Sequence, residues 1–260
     1  MRVLFIGDVF GPPGLRVAHR YLRDHRGDYD LVVANGENTA GGFGITRKHA
    51  EQLWGWGVDV ITLGNHTFDQ DEVVDLLESS PRIVRPANYP PGTPGLGYTT
   101  VTAANGERLM VGQVMGRVFL EPLDDPFAAA DAIVEACPAD AALLVEVHAE
   151  ATSEKKVLGF HLQGRASAVL GTHTHVQTAD EGIHGGTAYL TDVGMTGVQH
   201  SAIGMQFDEV HARFLPTRRH RFRPASGPAT LCGVVLDLDG RRARSVQRLQ
   251  WRDEGDGADG

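Results

Sequence analysis

Short unbroken apolar runs alternate along this chain with longer stretches whose apolar positions recur every three or four residues. VLFI (3–6), LVVA (31–34) and VDVITL (58–63) are of the first kind; segments near 13–25, 47–56 and 70–78 are of the second. Unbroken β-type runs set between amphipathic helices predict strands buried on both faces, in a largely parallel β-α-β arrangement. Thr46 is placed to cap the second helix. Asp and Glu crowd the first turn of the third, where the helix dipole favours them.

The middle of the chain differs. Residues 86–106 are rich in Pro, Gly and Thr and predict loops with short strands. ERLMVGQVMG (107–116), AALLVEVH (141–148), SAVLG (167–171) and the start of TAYLTDVG (187–194) predict further strands. Helices are expected at about 127–136 and over 151–164, the latter ended by Gly164. From about 195 the chain is loop-rich and carries the basic run TRRHRFRP (217–224), read as a solvated loop. ATLCGVVLDLDGRRARSVQRLQW (229–251) predicts a hairpin turning at Asp239-Gly240. The tail at 252–260 has nothing to bury and is expected to be disordered. No repeat or linker divides the rest, so residues 1–251 are expected to form a single α/β domain whose halves each supply a sheet to a sandwich.

Composition narrows the function classes. A chain of 260 residues with 42% hydrophobic and 22% charged residues has an ordinary soluble make-up and enough length for a substantial core. The net charge of −9 argues against a nucleic-acid or membrane-surface binder, which presents a basic face. An anionic substrate is still allowed, because bound cations reverse the local field in a cleft. Cys137 and Cys232 lie far apart with no metal-site spacing, which predicts a reducing compartment rather than a disulfide framework. No apolar run is long enough to span a membrane. The apolar stretch of MRVLFIGDVFG runs straight into Gly7-Asp8 without a cleavage site, so the expected location is the cytoplasm.

Five segments share one form, a strand followed at once by polar residues: GDVFG (7–11), NGEN (35–38), GNHTFD (64–69), EVHAE (146–150) and GTHTH (171–175). In open α/β folds the carboxyl ends of the strands are where sites form, and loops distant in sequence converge there. The groups that would meet are Asp8, Glu37, Asn38, Asn65, His66, His148, His173 and His175. Each alone has an ordinary explanation. Asp8 could cap a helix, Glu37 could face solvent, and His148 could bond a carbonyl. Together they form a mixed nitrogen and oxygen donor set without thiolate, suited to Mn, Fe or Zn, and too large for one tetrahedral ion.

The order Asp…Glu-Asn…Gly-Asn-His…His…Gly-x-His-x-His resembles the calcineurin-like metallophosphoesterases. From GDVFG through NGENTAGGFG, LGNHTFD, VEVHAEATSEK and GTHTHVQTAD to LTDVGMTG, the chain is similar to their YmdB branch. It departs from the broad superfamily where Asp-x-His becomes Asp8-Val9-Phe10, and where Gly-Asp-x-x-Asp becomes Asn35-Gly36-Glu37-Asn38. Both departures fit the narrower branch. The resemblance implies an α/β fold, a four-layer αββα sandwich. It also implies two divalent or trivalent metal ions per chain, one on Asp8, Glu37, Asn38 and His175, the other on Glu37, Asn65, His148 and His173. Glu37 would bridge them at the roughly 3.5–4 Å spacing of two-metal hydrolysis. Asn38, a neutral oxygen donor in place of the lost histidine, favours iron or manganese, with zinc and magnesium as alternatives.

The implied reaction is hydrolysis of a small phosphate ester by a metal-bridging hydroxide, and the branch suggests 2′,3′- or 3′,5′-cyclic nucleotides. His66 follows the ligand Asn65 and is expected to act as general acid or to stabilise the transition state. Asp69 would orient His66 or cap the helix that follows. Thr39, Gly41 and Gly42 are candidates for substrate contact, the glycines because they permit close backbone approach. Three alternatives stay open: a phosphomonoesterase or nucleotidase, a nucleotide-binding regulator with little turnover, and a single-metal hydrolase. An exposed sheet edge would allow a homo-oligomer.

Overall fold

The computed structural model describes residues 1–215 and 222–252. Most of the basic run at 217–224, and the tail from 253, lie outside the described residues. Two six-stranded sheets, their strands numbered in chain order, form the frame. In the first, β1 (Arg2–Ile6), β2 (Leu31–Asn35), β3 (Val60–Thr62) and β4 (Ile83–Val84) run parallel. The hairpin of β11 (Thr230–Asp239) and β12 (Arg242–Arg252) joins antiparallel to β1 and turns at Gly240, whose φ of +53° is a glycine conformation. In the second sheet, β6 (Arg108–Met115), β7 (Ala141–His148), β8 (Ala168–Thr172) and β10 (Thr187–Leu190) run parallel. It is edged by antiparallel β5 (Tyr98–Thr102) and β9 (Gly182–His184).

Alternation along each strand builds the layers. Val3 and Phe5 of β1 point one way, into a cluster with Val33, Leu109, Leu144 and Leu170 that glues sheet to sheet. Leu4 and Ile6 point the other way. They pack against Val17 and Leu22 of α1 (Gly11–His25), Leu53 of α2 (Arg47–Gly55) and Leu76 of α3 (Val73–Ser79). On the far face of the second sheet, Leu143, Val145 and Val169 meet Ile133 of α4 (Pro126–Ala136) and Leu158 and Leu162 of α5 (Thr152–Leu162). The result is the expected four-layer αββα sandwich. Fully burying one such Leu, Ile or Phe contributes roughly 1.5–3 kcal/mol. Cys137 and Cys232 are buried and unpaired, and no helix among the described residues is long and apolar enough to cross a membrane.

Several local expectations need correction. The third helix begins at Val73, not near 70, and no side chain caps it. Phe10, not Asp8, stands at the N-cap of α1. The loop-rich region after 195 contains α6 (Phe207–Phe214), whose Phe207, Val210 and Phe214 carry helical spacing. The two-residue β4 and the three-residue β9 are too short to leave a periodic signal. All the parallel strands of the site open at one pole, where the following loops converge.

Candidate metal centre

His148 ends β7 and is fully buried. Its Nε2 lies 2.9 Å from Glu37 Oε1, 2.9 Å from Asn65 Oδ1 and 3.1 Å from His173 Nδ1. A ring nitrogen offers one proton or one lone pair, so it cannot satisfy three such neighbours. A cation among them can. Ligand atoms of Glu37, His148 and His173 lie within 4.8 Å of one another, the span of a metal site. Gly64 makes room for the cluster: a Cβ there would stand 2.4 Å from both Glu37 Oε2 and His148 Nε2.

A second group flanks Glu37. The amide nitrogen of Asn38 is 3.4 Å from Glu37 Oε1 and 3.4 Å from His175 Nε2. Turning that amide over puts its oxygen in the same place. Asp8 Oδ1 is 3.9 Å from His175 Nε2 and is buried with no hydrogen-bond partner, an orphaned acceptor aimed at this side. All seven residues expected to ligate are therefore close together, with Glu37 between the two groups, and their nitrogen and oxygen donors suit metal ions.

Two neighbours orient the histidines. Thr172 Oγ1 donates to Glu146 Oε1 at 2.6 Å, so it accepts from His148 Nδ1 at 2.9 Å and leaves Nε2 free to ligate. His175 Nδ1 donates to the carbonyl of Ile203 at 2.9 Å, which frees its Nε2 in the same way. The backbone is strained here: His173 has φ +94° and His175 +66°, in the left-handed region. Thr174 between them is pinned to Asp192 Oδ2 by its amide at 3.1 Å and its hydroxyl at 2.7 Å. Lys155 Nζ binds the same oxygen at 2.6 Å, both side chains being buried.

Burial opposes charge on every group; it prevails at Asp8 and His173, and the neighbours overturn it at Glu37 and His148. Burial pushes Asp8 up to about 6 against the attraction of His175 and His148. Burial would raise Glu37 too, but the charge and hydrogen bond of His148 hold it down to about 2. Burial resists protonation of His148, yet Glu37 and Glu146 lift it to about 10. Burial and His148 depress His173 to about 3. Without metal, protonated His148 is the counterion of Glu37.

His66 does not join the ligand clusters. Its Nδ1 is 2.6 Å from Asp69 Oδ2, and its amide donates to Glu37 Oε2 at 2.9 Å. Asp69 thus orients His66 and caps nothing. His66 lines a cleft of about 470 Å³ together with Glu37, Asn38, His173 and His175. Of the expected substrate contacts, only Gly42 lines it. Thr39 is buried and donates its hydroxyl to Gly36 O at 2.9 Å, closing the loop instead of facing a ligand, and Gly41 lies off the cleft.

Sequence reasoning missed Glu146, Lys155, Thr172 and Asp192. A carboxylate inside the apolar run AALLVEVH was the one available signal.

A family model for YmdB-like proteins matches residues 4–249. The 2′,3′-cyclic-nucleotide 2′-phosphodiesterase of Bacillus subtilis (strain 168) is 48% identical over 260 residues, 98% of each chain. The crystal structure of a hypothetical protein from Thermus thermophilus is similar at TM-score 0.93 and 52% identity, over 97% of this chain and 100% of that one. That of a novel phosphatase from Mycoplasma pneumoniae is similar at TM-score 0.90 and 30% identity, over 97% of this chain and 93% of that one. With the family's pattern matched over nearly its whole length, the chain belongs to the YmdB-like family.

Proposed function

We propose that this chain is a metal-dependent phosphodiesterase that hydrolyses cyclic nucleotides, with a 2′,3′-cyclic phosphate as the leading substrate. The substrate rests on the activity of the Bacillus subtilis relative. The chemistry rests on one observation, the convergence of Glu37, Asn65 and His173 on a single nitrogen of His148. Asp8, Glu37, Asn38 and His175 would hold one ion, and Glu37, Asn65, His148 and His173 the other. Metals bound there would activate water and neutralise charge on the phosphoryl oxygens. Iron or manganese suits donors that are all nitrogen or oxygen.

His66 supplies the acid. Asp69 engages Nδ1, which leaves Nε2 to give a proton to the departing ester oxygen.

The test is metal reconstitution followed by elemental analysis and assay of 2′,3′-cyclic AMP, bis-(p-nitrophenyl) phosphate and the corresponding monoester. Two ions per chain, with diester turnover lost on chelation, are expected. One ion per chain, or turnover of the monoester above that of either diester, overturns the proposal.

A further inference from the structure

The GGFG turn at 41–44 is more elaborate than a flexible loop. Gly41, Gly42 and Gly44 have φ of +71°, +94° and +79°. A Cβ on Gly42 would lie 2.6 Å from Met205 Cε and 2.7 Å from Phe10 Cζ, and one on Gly44 2.9 Å from Gln70 Cγ. Gln70 Nε2 donates to Phe43 O at 2.6 Å. The turn is therefore packed from behind and tied at its tip, and only glycines permit it.

It displays Phe43 at the mouth of the cleft. The ring is 38% exposed, belongs to none of the apolar clusters of the described residues, and meets His66 edge-on with centroids 5.4 Å apart. Ile203 and Phe222 line the same cleft. Ile203 is 57% exposed and held at φ +49°. The cleft thus has a polar floor of ligand side chains and an apolar rim. Its volume of about 470 Å³ falls in the range that encloses a whole organic ligand, roughly 300–1,000 Å³. A phosphate ester that uses both parts carries an apolar-faced group beside its phosphoryl group.

We propose that Phe43 is the stacking platform for the nucleobase of the substrate, with Ile203 and Phe222 as the facing wall. The assignment rests on the phosphodiesterase reading above and deepens it. A ring that stacks on a π-face without hydrogen-bonding the base edge tolerates any base, so weak base preference is expected.

The experiment compares the metal-loaded wild type, Phe43→Ala and Phe43→Trp on 2′,3′-cyclic AMP and on glycerol 1,2-cyclic phosphate, which carries the same reacting group and no base. For Phe43→Ala, the ratio of kcat/KM between the two substrates should fall about tenfold, mostly through KM, as expected for loss of one stacked base. Phe43→Trp should keep the ratio. Equal losses on both substrates, or an unchanged ratio, overturn the platform. If the wild type hydrolyses neither diester, the phosphodiesterase reading fails by itself. Equilibrium binding of 3′-AMP against glycerol phosphate then decides the platform: a preference lost in Phe43→Ala sustains it, and an equal or absent preference overturns it.

Discussion

The hydroxyl oxygen of Thr172 stands 2.9 Å from Nδ1 of His148 and gives its own proton to Glu146, 2.6 Å away. Glu146 Oε1 also accepts from Asn35 at 2.7 Å, so the carboxylate ties β2, β7 and β8 together beneath the site. Once a cation displaces the proton of Nε2, this chain of donors keeps the remaining proton on Nδ1 and the bare Nε2 turned toward Glu37, Asn65 and His173. Thr172→Val keeps the shape and deletes the relay. Metal affinity should fall roughly 10–100-fold, as for other losses of a ligand's supporting hydrogen bond. Competition with a chromophoric chelator measures it, and unchanged affinity would reduce Thr172 to a packing residue.

Metal loading should release protons. In the metal-free protein His148 stays protonated up to about 10, and Glu37 stays ionised down to about 2. The raised His148 contributes stability that is full below its ordinary value near 6.5 and is lost as pH rises through about 10. The depressed Glu37 contributes stability that is full above its ordinary value and is lost as pH falls through about 2. The pair therefore persists across neutral pH, and a cation must displace the imidazole proton to bind Nε2. Near pH 7.5, about one proton per chain should be released, with a further share toward pH 6 as Asp8 becomes protonated in the metal-free protein. Calorimetric titrations in buffers of differing ionisation enthalpy count these protons. A count near zero at pH 7.5 would remove His148 from the ligand set.

The role proposed for His66 is in the reaction and not in holding the metals. His66→Ala should leave metal content at the wild-type level and lower kcat on a phosphodiester by about 10²–10⁴-fold, the usual worth of a positioned general acid. Asp69→Asn should give a smaller loss, because the 2.6 Å contact to Nδ1 holds the ring in place. Lost metal in His66→Ala would mean that the ring supports Glu37 through the loop, not the leaving group.

The α/β sandwich could be read from the residues because its central strands are buried on both faces, while the resemblance implied its four layers. LVVA and VLFI leave no polar gap for a helix to exploit, AALLVEVH is broken only by Glu146, and the expected ligands sit at or just beyond the ends of such runs. What escaped detection depends on partners distant in sequence. Glu146 meets Thr172 across 26 positions, and Lys155 meets Asp192 across 37. No spacing rule joins such pairs before the sheets assemble. Thr39 misled for the opposite reason: a hydroxyl beside ligands is ambiguous until its carbonyl partner, Gly36, is known.

The buried pair of Lys155 and Asp192 holds the strained histidines in place. Positive φ at His173 and His175 costs on the order of 1–3 kcal/mol each, and the bonds from Thr174 to Asp192 offset part of it. Lys155→Met removes the cation and leaves a buried carboxylate with only neutral donors, from Thr174 and Gly194. Breaking a buried pair this way costs about 3–5 kcal/mol, to be read by denaturant unfolding of the metal-free protein. Adding Asp192→Asn restores neutrality and should recover much of that loss, since no charge is then stranded. It should not recover metal affinity, because a neutral amide braces the 173–175 turn less firmly than the carboxylate. A double variant that regained both stability and affinity would show that the turn holds its geometry without the charge.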